Sequence, residues 1–102
     1  MISISLCMIV KNEEYNLDKC LQSTEGIPDE IIIVDTGSAD KTKEVALRWT
    51  PNVLDFEWIN DFAAARNYAF ECATQEYIFW LDADDILLPE EQKNIGIKTK
   101  LR

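Results

Sequence analysis

Three aspartates, Asp82, Asp84 and Asp85, fall within four residues, directly after the apolar run Glu76-Tyr77-Ile78-Phe79-Trp80-Leu81. Carboxylates this close repel one another. At ~5 Å and an effective dielectric near 20, each pair costs roughly 3 kcal/mol, and a divalent cation removes that cost. Asp82 and Asp84 are two apart, so on an extended backbone their side chains leave on the same side, with Cα atoms ~6.5–7 Å apart. That span suits one octahedral ion or one metal–diphosphate unit, and all-oxygen ligands favour Mg²⁺ or Mn²⁺ over zinc. The same four residues also read as a solvated turn that caps a following helix. They are not an EF-hand, because its glycine and distant glutamate are missing. A second strand-end carboxylate, Asp35, closes the run Glu30-Ile31-Ile32-Ile33-Val34 and opens the polar turn Thr36-Gly37-Ser38-Ala39-Asp40.

Other chemistries are excluded by what the 102 residues lack. There is no histidine, so no Ser/His/Asp triad, Cys/His pair or His metal site can be built. The three glycines, Gly26, Gly37 and Gly96, are too far apart for GxGxxG or a Walker loop. Cys7, Cys20 and Cys72 form no CxxC, and an odd count suits a reduced protein in the cytoplasm. Acids outnumber bases 19 to 10, for a net charge of −9. Duplex nucleic acid and anionic membrane surfaces are therefore poor partners. The charge is uneven: residues 93–102 hold four bases and no acid. No apolar run approaches the ~18 residues of a membrane span, and the apolar N-terminus lacks a basic leader and a cleavage site.

Positioning these carboxylates requires alternating strands and helices. Residues 2–10 read as a strand that becomes buried on both faces. Residues 16–24 read as a helix presenting Leu17, Cys20 and Leu21, ended by Gly26 and Pro28. Residues 30–34 are a β-branched strand, followed by a helix capped by Ser38 or Asp40, with Val45 and Trp49 inward. Residues 53–58 form a third strand. Asp61 caps an alanine-rich helix over residues 62–73 with Phe62, Ala65, Ala69 and Ala73 on its packed face. Residues 76–81 form a fourth strand, and Pro89, Glu90 and Glu91 suit the first turn of another helix. The three tryptophans, Trp49, Trp58 and Trp80, read as core or half-buried packing. The order β-α-β-α-β-α-β predicts an α/β fold, a Rossmann-like parallel sheet with flanking helices. In such sheets ligands bind beyond the carboxyl ends of the strands, where both acidic sites fall.

Four segments in order, SLCMIVKNEEYNLDKCLQS, DEIIIVDTGSADKT, FEWINDFAAARNYAF and EYIFWLDADDILLPEE, resemble the N-terminal half of the family 2 glycosyltransferases, which have a GT-A fold. The resemblance covers roughly residues 3–92, and the wording is similar to bacterial members that use nucleotide-sugar donors. It implies that Asp35 hydrogen-bonds the nucleotide base, usually uracil; a helix cap is the competing role. It implies that Asp82 and Asp84 are the DxD pair, the first reaching ribose or metal and the second coordinating the Mn²⁺ or Mg²⁺ that bridges the diphosphate. Asp85 is then a supporting or capping residue. Arg66 matches a basic position near base or phosphates, and otherwise is a surface residue. Glu14 matches a family glutamate, and otherwise is a first-turn helix acid. Asn67 holds backbone at the helix–strand junction, and Gly37 suits a tight turn near the ligand. Lys11 and Asn12 stand where the family often has Pro-x-Tyr-Asn. Ile9 replaces the proline and Lys11 the tyrosine, so an aromatic contact to the base gives way to a lysine that can reach phosphate.

Residues 1–102 thus read as a single, truncated nucleotide-sugar-binding portion of a glycosyltransferase domain. The family's acceptor site and general base fall in a half not seen here, so weak nucleotide binding and little catalysis are expected of this chain alone. The expected donor is a nucleoside-diphosphate sugar, most simply UDP-linked. The resemblance also implies inversion at the sugar. A half-domain should expose a sheet edge through which copies could associate. The expected location is cytoplasmic, with peripheral attachment at the inner membrane face left to regions beyond this chain. Two competitors remain: a non-catalytic nucleotide-binding or interaction fragment, and a nucleotidyltransferase, against which the glycine-free stretch Met8 to Glu14 counts.

Overall fold

The central strand, β1 (Ile4–Val10), is buried along nearly its whole length because parallel strands flank it on both sides. On one side lies β2 (Glu30–Asp35), with Cys7 opposite Ile32 and Val10 opposite Asp35. On the other lies β4 (Tyr77–Trp80), with Leu6 opposite Phe79. β3 (Val53–Asp55) pairs with β2. The computed structural model describes residues 3–81 and 99–101. Its sheet has the order β3-β2-β1-β4-β5, with four parallel strands and an antiparallel β5 (Thr99–Leu101) along β4. The expected α/β architecture is therefore present. β5 is an addition: the basic tail carries no strand pattern by itself, and its pairing is supplied by the outer edge of β4. The expected helix start at Pro89 lies outside the described residues.

Side-chain alternation divides the core. Leu6, Met8, Val10, Ile33 and Phe79 pack on one face beneath α1 (Leu17–Ser23) and α2 (Thr42–Leu47). Leu17, Cys20 and Leu21 supply the buried stripe of α1, and Trp49 packs half-buried against the same cluster. Cys7, Ile32, Val34 and Ile78 pack on the other face beneath α3 (Phe62–Cys72). There the small side chains of Ala65, Ala69 and Ala73 are buried, which lets the helix lie close to the strands. Phe62, expected on the same face, is the first helical residue and is only partly covered: it is 47% exposed and meets the sheet edge-on at Trp80, ring centres 6.1 Å apart. Ser5, polar yet fully buried, donates to Glu30 Oε1 at 2.7 Å and accepts from the Gln75 amide at 3.2 Å, so its hydroxyl is satisfied inside the core.

Ladder pairing at β3 stops at Asp55, short of the expected residue 58. The Phe56 amide still donates to the Asp35 carbonyl at 2.9 Å. The chain then turns away through Asn60, whose φ is +58°. None of the three cysteines forms a disulfide; Cys7 and Cys20 are buried and Cys72 half-buried.

Candidate functional site

The order β3-β2-β1-β4 makes β1/β4 the switch point. The chain winds outward from β1 to β3 and then crosses back to β4, so a crevice opens beyond the carboxyl ends of β1 and β4. Three loops meet at that end.

The loops after β1 and β2 are sewn together. Asn12, at φ +54°, donates its amide to Ser38 Oγ at 2.9 Å and accepts from the Ala39 amide at 2.7 Å. The Glu13 amide donates to Thr42 Oγ1 at 2.8 Å, and the Glu14 amide reaches Asp40 Oδ2 at 3.4 Å. Glu14 thus enters through its backbone. The N-cap position of α2 falls on Lys41, which makes no side-chain cap; Asp40, one of the two expected caps, stands one residue earlier and accepts from the Thr42 amide at 3.0 Å. Ser38, the other expected cap, is instead engaged by Asn12.

Asp40 also accepts a short hydrogen bond from the Thr42 hydroxyl. That bond, helped by the Thr42 and Glu14 amides and opposed by partial desolvation, holds the Asp40 carboxyl below the usual carboxylate range. The stability it contributes is present above the unfolded-state value and fades as pH falls through the lowered folded one. The latch is therefore expected to persist at neutral pH and loosen only in acid. Thr42→Val should bring the Asp40 titration midpoint, read by NMR, back up toward the ordinary value. An unmoved midpoint would contradict the assignment.

Asp35 sits at the base of this latch and is 2% exposed. Its Oδ1 accepts from the Gly37 and Ser38 amides, each at 2.8 Å. Gly37, at φ +109°, takes a backbone conformation that a side chain would strain. Oδ2 is buried and has no partner among the described residues. A buried carboxylate oxygen left unpaired is costly, so it is an acceptor kept open. Nearby, Lys43 pairs with Asp55 at 2.7 Å. That hydrogen bond raises Lys43 above the usual lysine value against some desolvation, with added help from the charges of Asp55 and Asp35.

A cleft of about 230 Å³ opens next to this loop, walled by Ile9, Val10, Lys11, Thr36, Trp58 and Phe62. Asp35 is one residue from the Thr36 wall, and its register partner Val10 is another wall. A larger cleft of about 340 Å³, lined by Pro28, Trp49 and Pro51 among others, lies at the amino ends of the strands, the wrong end for a ligand site in this architecture.

The structure thus brings Lys11, Asp35 and the Gly37 turn to one end of the sheet. Arg66 is exposed on α3, with its guanidinium 5.8 Å from the Phe62 ring centre, one ring away from the cleft. Asn67 is exposed in the middle of α3 rather than at a helix–strand junction: it lies on the turn facing away from Ala65 and Ala69. Asp61 caps α3 as expected, accepting from the Ala64 amide at 3.1 Å. Asp82, Asp84 and Asp85 lie outside the described residues. The chain reaches them from Leu81, whose amide faces the Cys7 carbonyl at 3.5 Å, that is, from the carboxyl end of β4. Among the described residues no group of three Asp, Glu, Cys or His side chains is placed to hold a metal.

Sequence reasoning missed Trp58. It is 40% exposed, not packed, and its Nε1–H donates to Asn60 Oδ1 at 3.0 Å. The signal available was its place in a five-residue connection, Phe56-Glu57-Trp58-Ile59-Asn60, between a strand and the Asp61 cap, with neither strand nor helix to set a buried face.

A sequence model described as Glycosyl transferase family 2 matches residues 5–95. A TPR repeat-containing protein of Synechococcus elongatus is 44% identical over 90 residues, which are 88% of this chain and 22% of that protein. The SPbeta prophage-derived glycosyltransferase SunS of Bacillus subtilis is 38% identical over 96 residues, 92% of this chain and 23% of that protein. The chain therefore spans less than a quarter of the length of these relatives. Among solved structures, S. aureus TarS 1–349 superposes with a TM-score of 0.73 at 22% identity, covering 94% of this chain and 32% of that one. Glucosyl-3-phosphoglycerate synthase from Mycobacterium tuberculosis, in complex with Mn²⁺ and UDP-glucose, superposes at 0.69 and 22% identity, covering 83% and 34%. At that identity the likeness speaks to the fold.

Proposed function

The chain belongs to glycosyl transferase family 2, and from that premise we propose that it forms the donor-binding half of an enzyme that moves a sugar from a nucleoside-diphosphate sugar to an acceptor. The observation that carries this reading is Asp35. One of its oxygens is saturated by two backbone amides, and the other is buried, without a partner among the described residues, and beside the switch-point loops. A carboxylate so fixed is a ready acceptor for an N–H on a nucleobase, and UDP is the nucleotide found with similarly folded proteins.

The other residues take roles by position. Lys11, on the cleft wall, offers an ammonium to the phosphates. Arg66 places a second cation at the rim, over Phe62. Glu14 supports the latch through its amide. The Asn12–Ser38 and Glu13–Thr42 bonds fix both loops before a ligand arrives, so little ordering cost is left to binding.

Asp82 and Asp84 would hold Mn²⁺ or Mg²⁺. Their donor set is all oxygen, which fits either hard cation, and the chain delivers them from the end of β4. Bound there, the cation would neutralise the charge that grows on the departing diphosphate. Inversion at the sugar and a cytoplasmic location belong to the same proposal, the latter in keeping with three cysteines that form no disulfide.

The test is calorimetric titration of UDP with and without Mn²⁺, on the wild type and on Asp84→Ala. Manganese should tighten UDP binding to the wild type and leave the variant unchanged. Equal affinity in every arm would defeat the metal-bridge reading.

A further inference from the structure

We infer that Trp58 supplies the aromatic face on which the nucleobase of the donor stacks; this rests on the donor-binding reading above. Lys11, directly after β1, gives that side of the cleft a cation and no ring. The structure offers one from the loop between β3 and α3. Trp58 is 40% exposed, which is unusual for the largest apolar side chain, and its exposed surface forms a wall of the cleft opposite the strand ends.

Trp58 is held in place on that wall. Its indole N–H is bonded to Asn60, and Asn60 takes a left-handed backbone conformation to provide that bond. Asn tolerates this conformation better than other residues with side chains. With its one polar atom already satisfied, the indole presents an apolar π-face and no competing donor. Phe62 stands at the same cleft, edge-on to Trp80 at 6.1 Å and covered by the Arg66 cation. Phe62 keeps 47% of its surface exposed but shares its ring with Trp80 and Arg66; the Trp58 ring has no aromatic or cationic contact among the described residues, which leaves its face to a ligand.

Size agrees with this. The cleft, about 230 Å³, is below the ~300–1,000 Å³ of pockets that enclose whole drug-sized ligands. It suits one planar heterocycle, with the ribose and diphosphate continuing toward Lys11 and the end of β4. Stacking on an aromatic side chain is sequence-tolerant and substantial. Trp58 would therefore set affinity for the base, and Asp35 its identity.

The experiment uses residues 1–102 with UDP and inorganic diphosphate as probes, both with Mn²⁺. Trp58→Leu should weaken UDP about tenfold and leave diphosphate unchanged, while Trp58→Phe should recover most of the lost affinity. UDP should also quench the tryptophan emission of the wild type. Most of that quenching should vanish in Trp58→Phe, where Trp49 and Trp80 remain as internal reporters of the fold. Equal weakening of UDP and diphosphate, or unchanged UDP affinity in Trp58→Leu, overturns the Trp58 assignment while the donor-binding reading stands. Failure of the wild type to bind UDP at millimolar concentration overturns both.

Discussion

Asp35→Asn is expected to lower the affinity for UDP by roughly ten- to a hundredfold without unfolding the chain. Asparagine keeps an oxygen to accept from the Gly37 and Ser38 amides, so the turn at 2.8 Å from each survives. The second position changes from acceptor to donor. An N–H on the base then faces another N–H where it had met an open carboxylate oxygen. Hydrogen bonds to charged groups contribute about 1.5–3 kcal/mol, and ~1.4 kcal/mol is a factor of ten, which sets the range. Asp35→Ala should add a loss of stability, because two amides of the turn lose their acceptor. Calorimetry and thermal melts on both variants separate the two effects. Wild-type UDP affinity in Asp35→Asn would mean that the open oxygen serves something other than a ligand.

Phe79→Ala should be the most destabilising single change in the described core. The ring is fully buried on β4, opposite Leu6 of β1 and Thr99 of β5. Truncating a buried phenylalanine costs about 3–5 kcal/mol, as transfer energy plus the cavity left behind. A domain of this size holds only ~5–15 kcal/mol in total, and each kcal/mol moves Tm by ~4–8 °C. A drop of roughly 15–30 °C, or the absence of a folded baseline, is expected by circular dichroism. Phe62→Ala, at an aromatic 47% exposed, is the comparison. A melt within a few degrees of the wild type for Phe79→Ala would contradict the packing described. β4 also carries the chain to Asp82 and Asp84, the residues proposed to hold the cation.

Most elements were legible in the sequence because their burial is periodic. β1 and β2 announce themselves as β-branched runs, and the Leu17, Cys20 and Leu21 spacing fixes the inner face of α1. Asp61 was readable as a cap because its side chain acts on the amide three residues on, a local rule. Asp35 was readable from its place at a strand end.

The latch was not legible, because Asn12 bonds Ser38 and Ala39 across 26 and 27 residues; only the parallel register of β1 and β2 brings them together. Trp58 was misjudged for a related reason. Tryptophan is highly buried on average, and the exposure of Trp58 follows from its place beyond the end of the β3 ladder at Asp55. Phe62 sat in the apolar rhythm of α3 but in its first turn, where Trp80 meets one edge of the ring and 47% stays exposed, so periodicity marked the face but not the depth of burial. The pairing of β5 with β4 depends on a partner 20 to 24 residues away in the chain and left no pattern in a polar tail.

That antiparallel strip alters how copies of this chain can meet. Without it, the flank of β4 would present four residues of bare peptide groups to the solvent. With it, the two lateral margins of the sheet are β3 and β5, each three residues long. On the β3 side, Asp55 is tied to a lysine at the rim. Short, charged margins make poor templates for a foreign strand. Any pairing of two molecules through main-chain bonding would have to start from a ledge of three rungs, and contact between apolar side chains would have to carry the rest.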